Sequence, residues 1–278
     1  MKTIDTKRYT AMLKEVSINR RVQCEYCGAE TVTITDPCFC SNCENILFDS
    51  VRASRASGKE LMQRVQEASD LAETGDYEGA LQEYSKIIVD YNEPQFHYQY
   101  ALMHISYSNR EVASIRYDRM GFMEENAKLR EHASKLMSEA KRILNHASVM
   151  CEKSFKAGDY TPVAEHAAFM CYIKLSKFRS ANRIKGFMQK RGSQFISRYA
   201  DMVFYSSIGD YENSLASADM LLRRETFSIN AAFYAALAAL KLGNPRAAKE
   251  IASALEGLVK RDSLSALNNA IMEYDRLP

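Results

Sequence analysis

Glycine and proline are scarce, at 11 and 5 of 278 residues, against ordinary usage of about 7% and 5%. Few positions need special backbone angles, which disfavours a turn-rich β protein and favours helices. Excess charge of either sign is missing too. Lys and Arg total 37 against 35 Asp and Glu, a net charge of +2, which excludes both an acidic solvating chain and a histone-like polycation. Any anion-binding surface must be local. Long apolar runs are also lacking: the longest uncharged one, Thr226 to Leu240, covers 15 residues, short of the roughly 20 that span a bilayer. The first 20 residues, MKTIDTKRYTAMLKEVSINR, mix charged and apolar side chains and offer no signal-peptide core. A cytoplasmic protein without a membrane span is expected. Catalytic motifs are missing as well. The five histidines, His97, His104, His132, His146 and His166, form no His-Glu-x-x-His pair and lie in no nucleophile motif, and no phosphate-cradling glycine loop exists. An enzyme is not expected.

What the chain does have is clustered cysteine. Five of its seven cysteines, Cys24, Cys27, Cys38, Cys40 and Cys43, fall in CEYCGAETVTITDPCFCSNC, which in a reducing compartment reads as metal binding rather than disulfides. Two C-x-x-C pairs, Cys24/Cys27 and Cys40/Cys43, are separated by twelve residues, enough for a short hairpin to bring four thiolates around one ion. Thr31 to Thr35 alternates like a strand and Asn45 to Phe48 offers another. Gly28 suits a tight turn after the first pair. Cys38 competes with Cys40 for the fourth position; Cys40 is preferred because it restores the two-residue spacing, and Cys38 is then a candidate resolving thiol. Cys151 and Cys171, in apolar helical company, read as buried small hydrophobes.

On these residues the segment 22–50 resembles the zinc-ribbon family, and the resemblance implies Zn2+ held by Cys24, Cys27, Cys40 and Cys43 in a closed structural site. The segment has no Lys or Arg and five acids, Glu25, Glu30, Asp36, Glu44 and Asp49. Such a module repels phosphate backbones, so it is expected to stabilise its own fold or to dock a protein.

From about Ser54 onward the pattern is helical. Gly-Asp-Tyr recurs at Gly75, Gly158 and Gly209, and Gly243-Asn244-Pro245 follows Gly209 by 34 residues. Five, nine and twelve residues after Gly75 come Ala80, Tyr84 and Ile87. At the same offsets stand Ala248, Ala252 and Leu255 after Gly243; Ser214, Ala218 and Leu221 after Gly209; and Val163, Ala167 and Met170 after Gly158. These turns and packing positions resemble the tetratricopeptide family, most closely over 60–94 and 195–260. The expected fold is mostly α: an N-terminal helix over 1–21, the zinc ribbon over 22–50, and an antiparallel helix-pair solenoid over 51–278 with a long irregular helical insertion at about 110–157. Within that insertion Leu129, Ala133, Leu136, Ala140, Ile143, Ala147 and Met150 alternate at spacings of four and three, a heptad seam for packing inside the chain or, alternatively, for a homodimer.

The resemblance implies a groove lined by the first helix of each pair, gripping a peptide or helix of a partner protein. The Lys and Asn with which some family members hold a terminal carboxylate are replaced here by Val65 and Ser69, Ser148 and Glu152, Tyr199 and Val203, and Phe233 and Leu237, so an apolar groove with aromatic anchors is expected instead. Charge is uneven along the helices. Residues 65–93 hold eight acids and one base, whereas 174–198 hold Lys174, Lys177, Arg179, Arg183, Lys185, Lys190, Arg191 and Arg198 without an acid, interleaved with Phe178, Phe187 and Phe195. The basic block is the candidate surface for an acidic partner or single-stranded RNA, unless it is simply a solvated helix face. The expected role is a non-enzymatic scaffold that binds another protein, with RNA or ribonucleoprotein binding as the alternative.

Overall fold

Short polar turns cut this chain into helices whose ends are chemically marked. The computed structural model describes residues 4–17, 20–33, 37–48, 58–115, 123–191, 194–222, 228–259 and 261–274. Helix α1 (Thr6–Ser17) precedes four short strands, β1 (Arg20–Gln23), β2 (Glu30–Thr33), β3 (Cys38–Phe39) and β4 (Ile46–Leu47). Then come α2 (Gly58–Thr74), α3 (Tyr77–Asp90), α4 (Pro94–Ala113), α5 (Met123–Lys156), α6 (Pro162–Lys174) and α7 (Phe178–Arg191). Helices α8 (Gln194–Ser207), α9 (Tyr211–Met220), α10 (Ile229–Lys241), α11 (Pro245–Ala254) and α12 (Arg261–Tyr274) complete the described residues. The protein is mostly helical, with two small antiparallel hairpins before the helical stack: β1 pairs with β2 and β3 with β4. Among the described residues no helix is long and apolar enough to cross a membrane. Ile34, Thr35, Asp36, Asp49 and residues 51–57 and 116–122, invoked in the sequence reading, lie outside the described residues.

The four turn glycines all adopt positive φ: Gly75 +94°, Gly158 +84°, Gly209 +82° and Gly243 +78°. At each, the residue after the glycine donates back to a carbonyl five residues earlier, as in Asp76 N to Leu71 O and Asp210 N to Tyr205 O, both 2.9 Å, closing the helix behind it. The next helix starts from a side-chain cap. Asp76 accepts from Gly79 N, Asp210 from Asn213 N and Asn244 from Ala247 N, while Thr161 caps α6 through Ala164 N. A fifth turn uses no glycine: Ser176 sits at φ +56° with Lys177 N donating to Tyr172 O at 2.9 Å.

Two units divide the chain. One comprises 25–27 and 57–177. Its centre is the pairing of α4 with α5, and α6 packs on both. The first half of helix α4 is buried almost all round, taking in Phe96, His97, Tyr98, Gln99, Ala101 and His104, so that stretch lacks an amphipathic stripe. The heptad seam faces inward here. Ala133, Leu136, Ala140, Ile143 and Ala147 are buried, and Ser108 Oγ on α4 donates to Ala133 O at 2.9 Å. Tyr26 belongs to this unit, its ring edge-on to Phe96 at 5.0 Å and its carbonyl accepting from the buried Tyr84 Oη.

The other unit comprises 1–24, 28–56 and 178–278. Its helices α7 to α12 pack each on the next, and the small faces of α10, with Ala231, Ala232, Ala235, Ala236, Ala238 and Ala239 buried, allow close approach. Helix α1 packs on α11 and is bonded to the end of α9: Tyr9 is fully buried and donates to Asp219 Oδ1 at 2.7 Å, and Arg8 donates to Leu222 O at 3.1 Å.

Candidate metal centre

The two C-x-x-C segments fold into the same turn. Cys24 N donates to Ala29 O (2.9 Å) and Gly28 N to Cys24 O (3.0 Å); in the second turn Cys40 N donates to Asn45 O (2.9 Å) and Glu44 N to Cys40 O (3.0 Å). The residue after each pair is left-handed, Gly28 at φ +73° and Glu44 at +61°. Glycine meets that requirement without strain, whereas a glutamate there costs about 1 kcal/mol. A tether accompanies the strained residue: Glu44 Oε1 accepts from Tyr234 Oη at 3.0 Å.

The turns bring Cys24, Cys27, Cys40 and Cys43 together, all buried, with their four sulfurs within 4.8 Å of one another. Cys24 Sγ and Cys43 Sγ are 3.6 Å apart. Four sulfurs bound tetrahedrally at about 2.3 Å to one ion would stand about 3.8 Å from each other, so the cluster is close to the spacing that one metal ion requires. Amides temper the charge of such thiolates: Asn42 N approaches Cys40 Sγ and Asn45 Nδ2 approaches Cys43 Sγ, each at 3.4 Å. The four buried cysteines are placed to bind a metal ion. Cys38 is not among them; it is buried in β3 opposite Leu47. None of the seven cysteines, all among the described residues, is in a disulfide.

The second turn rests on helices of its own unit. Phe39 stacks on Tyr199 with ring centroids 3.6 Å apart and meets Phe195 at 5.0 Å. Asn230 Nδ2 donates to Cys40 O at 3.0 Å and to Tyr199 Oη at 2.9 Å. Burial and the neighbouring Glu44 carboxylate push the Tyr234 phenol up, which keeps it a donor. None of these contacts was read from the sequence. The signal that was available is Asn230 itself, a lone amide in the apolar run INAAFYAALAAL, since a buried amide in such company needs a partner.

The basic block is divided between the two units. Lys174 and Lys177 are exposed in the unit 57–177, and Lys177 donates to Asn145 Oδ1 at 2.6 Å. In the other unit Arg179, Arg183, Lys190 and Arg191 are exposed on α7, whose opposite face buries Ala181, Ile184 and Met188. Lys185 shares the buried face. Its ammonium pairs with Asp201 Oδ1 at 3.0 Å, both side chains 8% exposed, and lies 4.6 and 4.8 Å from the rings of Phe204 and Tyr205. Lys185 is therefore corrected from a partner-binding to a core residue. Arg191 lies over the half-buried Phe187 ring at 5.2 Å.

Searched against protein-family models, curated proteins and solved structures, the chain has no match.

Among the described residues no second group of three or more His, Cys, Asp or Glu side chains converges on one point. His97 and His146 come close, with ring centroids 5.0 Å apart, and His97 Nε2 donates to Asn92 Oδ1 at 2.8 Å. Burial first, then His146, holds His97 down at about 4. His104 is buried and lowered for the same first reason. Burial pushes the Cys151 thiol up to about 12 and raises Cys171 as well, so both stay protonated and unreactive.

Proposed function

We propose that the protein is a non-enzymatic adaptor of the cytosol, in which Zn2+ bound by Cys24, Cys27, Cys40 and Cys43 is structural and the helical stack binds a partner protein. The observation that carries the reading is the closed set of four buried thiols. Four protein ligands leave a zinc ion no position for water or substrate, and cysteines clustered at metal-ligand spacing favour a reducing compartment. A tetratricopeptide-like solenoid is the proposed relative of the stack, supported by the recurrent left-handed turns and by the burial of Ala80, Tyr84, Ile87, Ser214, Ala218, Leu221, Ala248, Ala252 and Leu255 at matching offsets.

The groove itself needs revision. In the unit 178–278 the faces of α8 and α10, the first helices of their pairs, already carry Phe39, Cys40 and Glu44 through Tyr199, Asn230 and Tyr234. The adaptor surface proposed there is instead the exposed edge of α7, where Arg179, Arg183, Lys190 and Arg191 present cations to an acidic partner protein. A second reading, single-stranded RNA on the same edge, is favoured by Arg191 over Phe187, a guanidinium and ring beside which a base can stack.

The test is co-purification from native lysate of wild type and of an Arg179→Glu/Arg183→Glu/Lys190→Glu variant, each with and without nuclease. A stoichiometric protein retained by wild type through nuclease treatment and lost by the variant is the expected result. Loss of the partner on nuclease treatment alone moves the assignment to RNA. Identical retention by both proteins overturns the surface.

A further inference from the structure

The turn that carries Cys40 and Cys43 is fixed at both ends by side chains from a helix far along the chain. At one end the Cys40 carbonyl, which already accepts from Glu44 N within the turn, accepts a second bond from Asn230 Nδ2 at 3.0 Å. Asn230 is 3% exposed and its other hydrogen goes to Tyr199 Oη, whose ring covers Phe39, the residue before Cys40. At the other end Tyr234 Oη holds the carboxylate of Glu44, the left-handed residue after Cys43. Asn230 and Tyr234 stand four residues apart on α10, one helical turn, so a single face of that helix addresses both flanks of the metal-binding turn.

We propose that Asn230 and Tyr234 are positioning residues for the metal ion. They hold the second turn in its ligating shape before the ion arrives, so the affinity of the four cysteines is set in part by α10. The coupling is reciprocal: an ion bound by Cys40 and Cys43 stabilises the helices that grip their turn. This rests on the reading of the four cysteines as a metal site. It goes beyond that reading in assigning control of the site to residues each 190 positions downstream of the turn residue it bonds.

The experiment uses the full chain as wild type, Asn230→Ala, Tyr234→Phe and a control, Gly209→Ala, which perturbs the same unit at a turn where an added methyl meets nothing within 4 Å. Zinc stoichiometry, zinc affinity by competition with a chromophoric chelator, and the d–d spectrum of the Co2+ form are measured for each. The expected result is one ion per chain throughout, about tenfold weaker affinity in Asn230→Ala and in Tyr234→Phe, an altered Co2+ spectrum in both, and neither change in Gly209→Ala. Wild type that binds no ion overturns the metal site and the inference with it. Wild type that binds one ion, with both variants within twofold of it, overturns the inference alone. Equal weakening in Gly209→Ala does the same, because the effect is then general destabilisation.

Discussion

Replacing Gly75 by alanine separates two costs that coincide at that turn. The first is backbone strain. At φ +94° a Cβ atom crowds the following carbonyl, for about 1 kcal/mol. The second is specific to this site: the new methyl would collide with the guanidinium of Arg110, which donates to Gly75 O at 3.2 Å and lies 5.4 Å from the centre of the Tyr77 ring. The arginine tip can swing away, but it then gives up an exposed hydrogen bond and a cation–π contact, together about 1 kcal/mol. Gly209 shares the strain, at φ +82°, and has nothing within 4 Å of the added carbon. Gly75→Ala is therefore expected to cost about 2 kcal/mol and Gly209→Ala about 1 kcal/mol. Arg110→Ala alone should cost about 1 kcal/mol, and adding it to Gly75→Ala should cost nothing more. Denaturant unfolding of the zinc-loaded chain, followed by helical circular dichroism and by hydrogen exchange at the amides around each turn, measures all four. Equal costs at the two glycines, or an additive Gly75/Arg110 cycle, would refute the reasoning.

Three further outcomes follow from the same structure. Ser176→Gly should stabilise the chain by roughly 0.5–1 kcal/mol, read as a rise in denaturant midpoint, because serine at φ +56° is strained where glycine is not; a fall in midpoint contradicts this. Asp201→Ala should cost about 3–5 kcal/mol by stranding the Lys185 ammonium in the core, while Lys185→Met with Asp201→Leu should recover most of that loss; a double variant no more stable than Asp201→Ala alone would show that the pair is not what the site requires. His97 held at about 4 means that the unfolded chain, with its histidine near 6.5, takes up a proton first, so stability is intact above pH 6.5 and falls by up to about 3 kcal/mol on the way to pH 4. Comparing midpoints at pH 7 and 4.5 in wild type and His97→Gln isolates this from metal loss, and identical slopes in the two proteins would count against it.

What could be read directly from the chain was local chemistry. Glycine at 75, 158, 209 and 243 marks turns because a left-handed residue is needed there, and all four are left-handed. The spacing of Cys24, Cys27, Cys40 and Cys43 marks a site because two-residue gaps let both sulfurs face one point, and they converge. Ser176 escaped because it makes the same turn without glycine, although it stands 33 residues before Gly209; counted from it, Ala181, Lys185 and Met188 fall on the offsets five, nine and twelve, and all are buried. That count would also have taken Lys185 out of the basic block. Its partner Asp201 is sixteen residues away, beyond any local pattern. The first half of helix α4 hid its buried histidines and glutamines because a stretch of helix enclosed on all sides has no polar stripe to mark its faces. The grip of Asn230 and Tyr234 on the second turn is a tertiary fact, and no spacing rule reaches across 190 residues.

That distance also sets an order of events during synthesis. Cys40 emerges from the ribosome 190 residues before Asn230, an interval of roughly 10–40 s at about 5–20 residues per second. Through that time the nascent N-terminal segment carries its thiols without the side chains that brace the second turn. Chain termination that removed α10 would deprive that turn of its braces permanently, so on the proposed metal reading, capture at full affinity would wait for translation of the C-terminal helices.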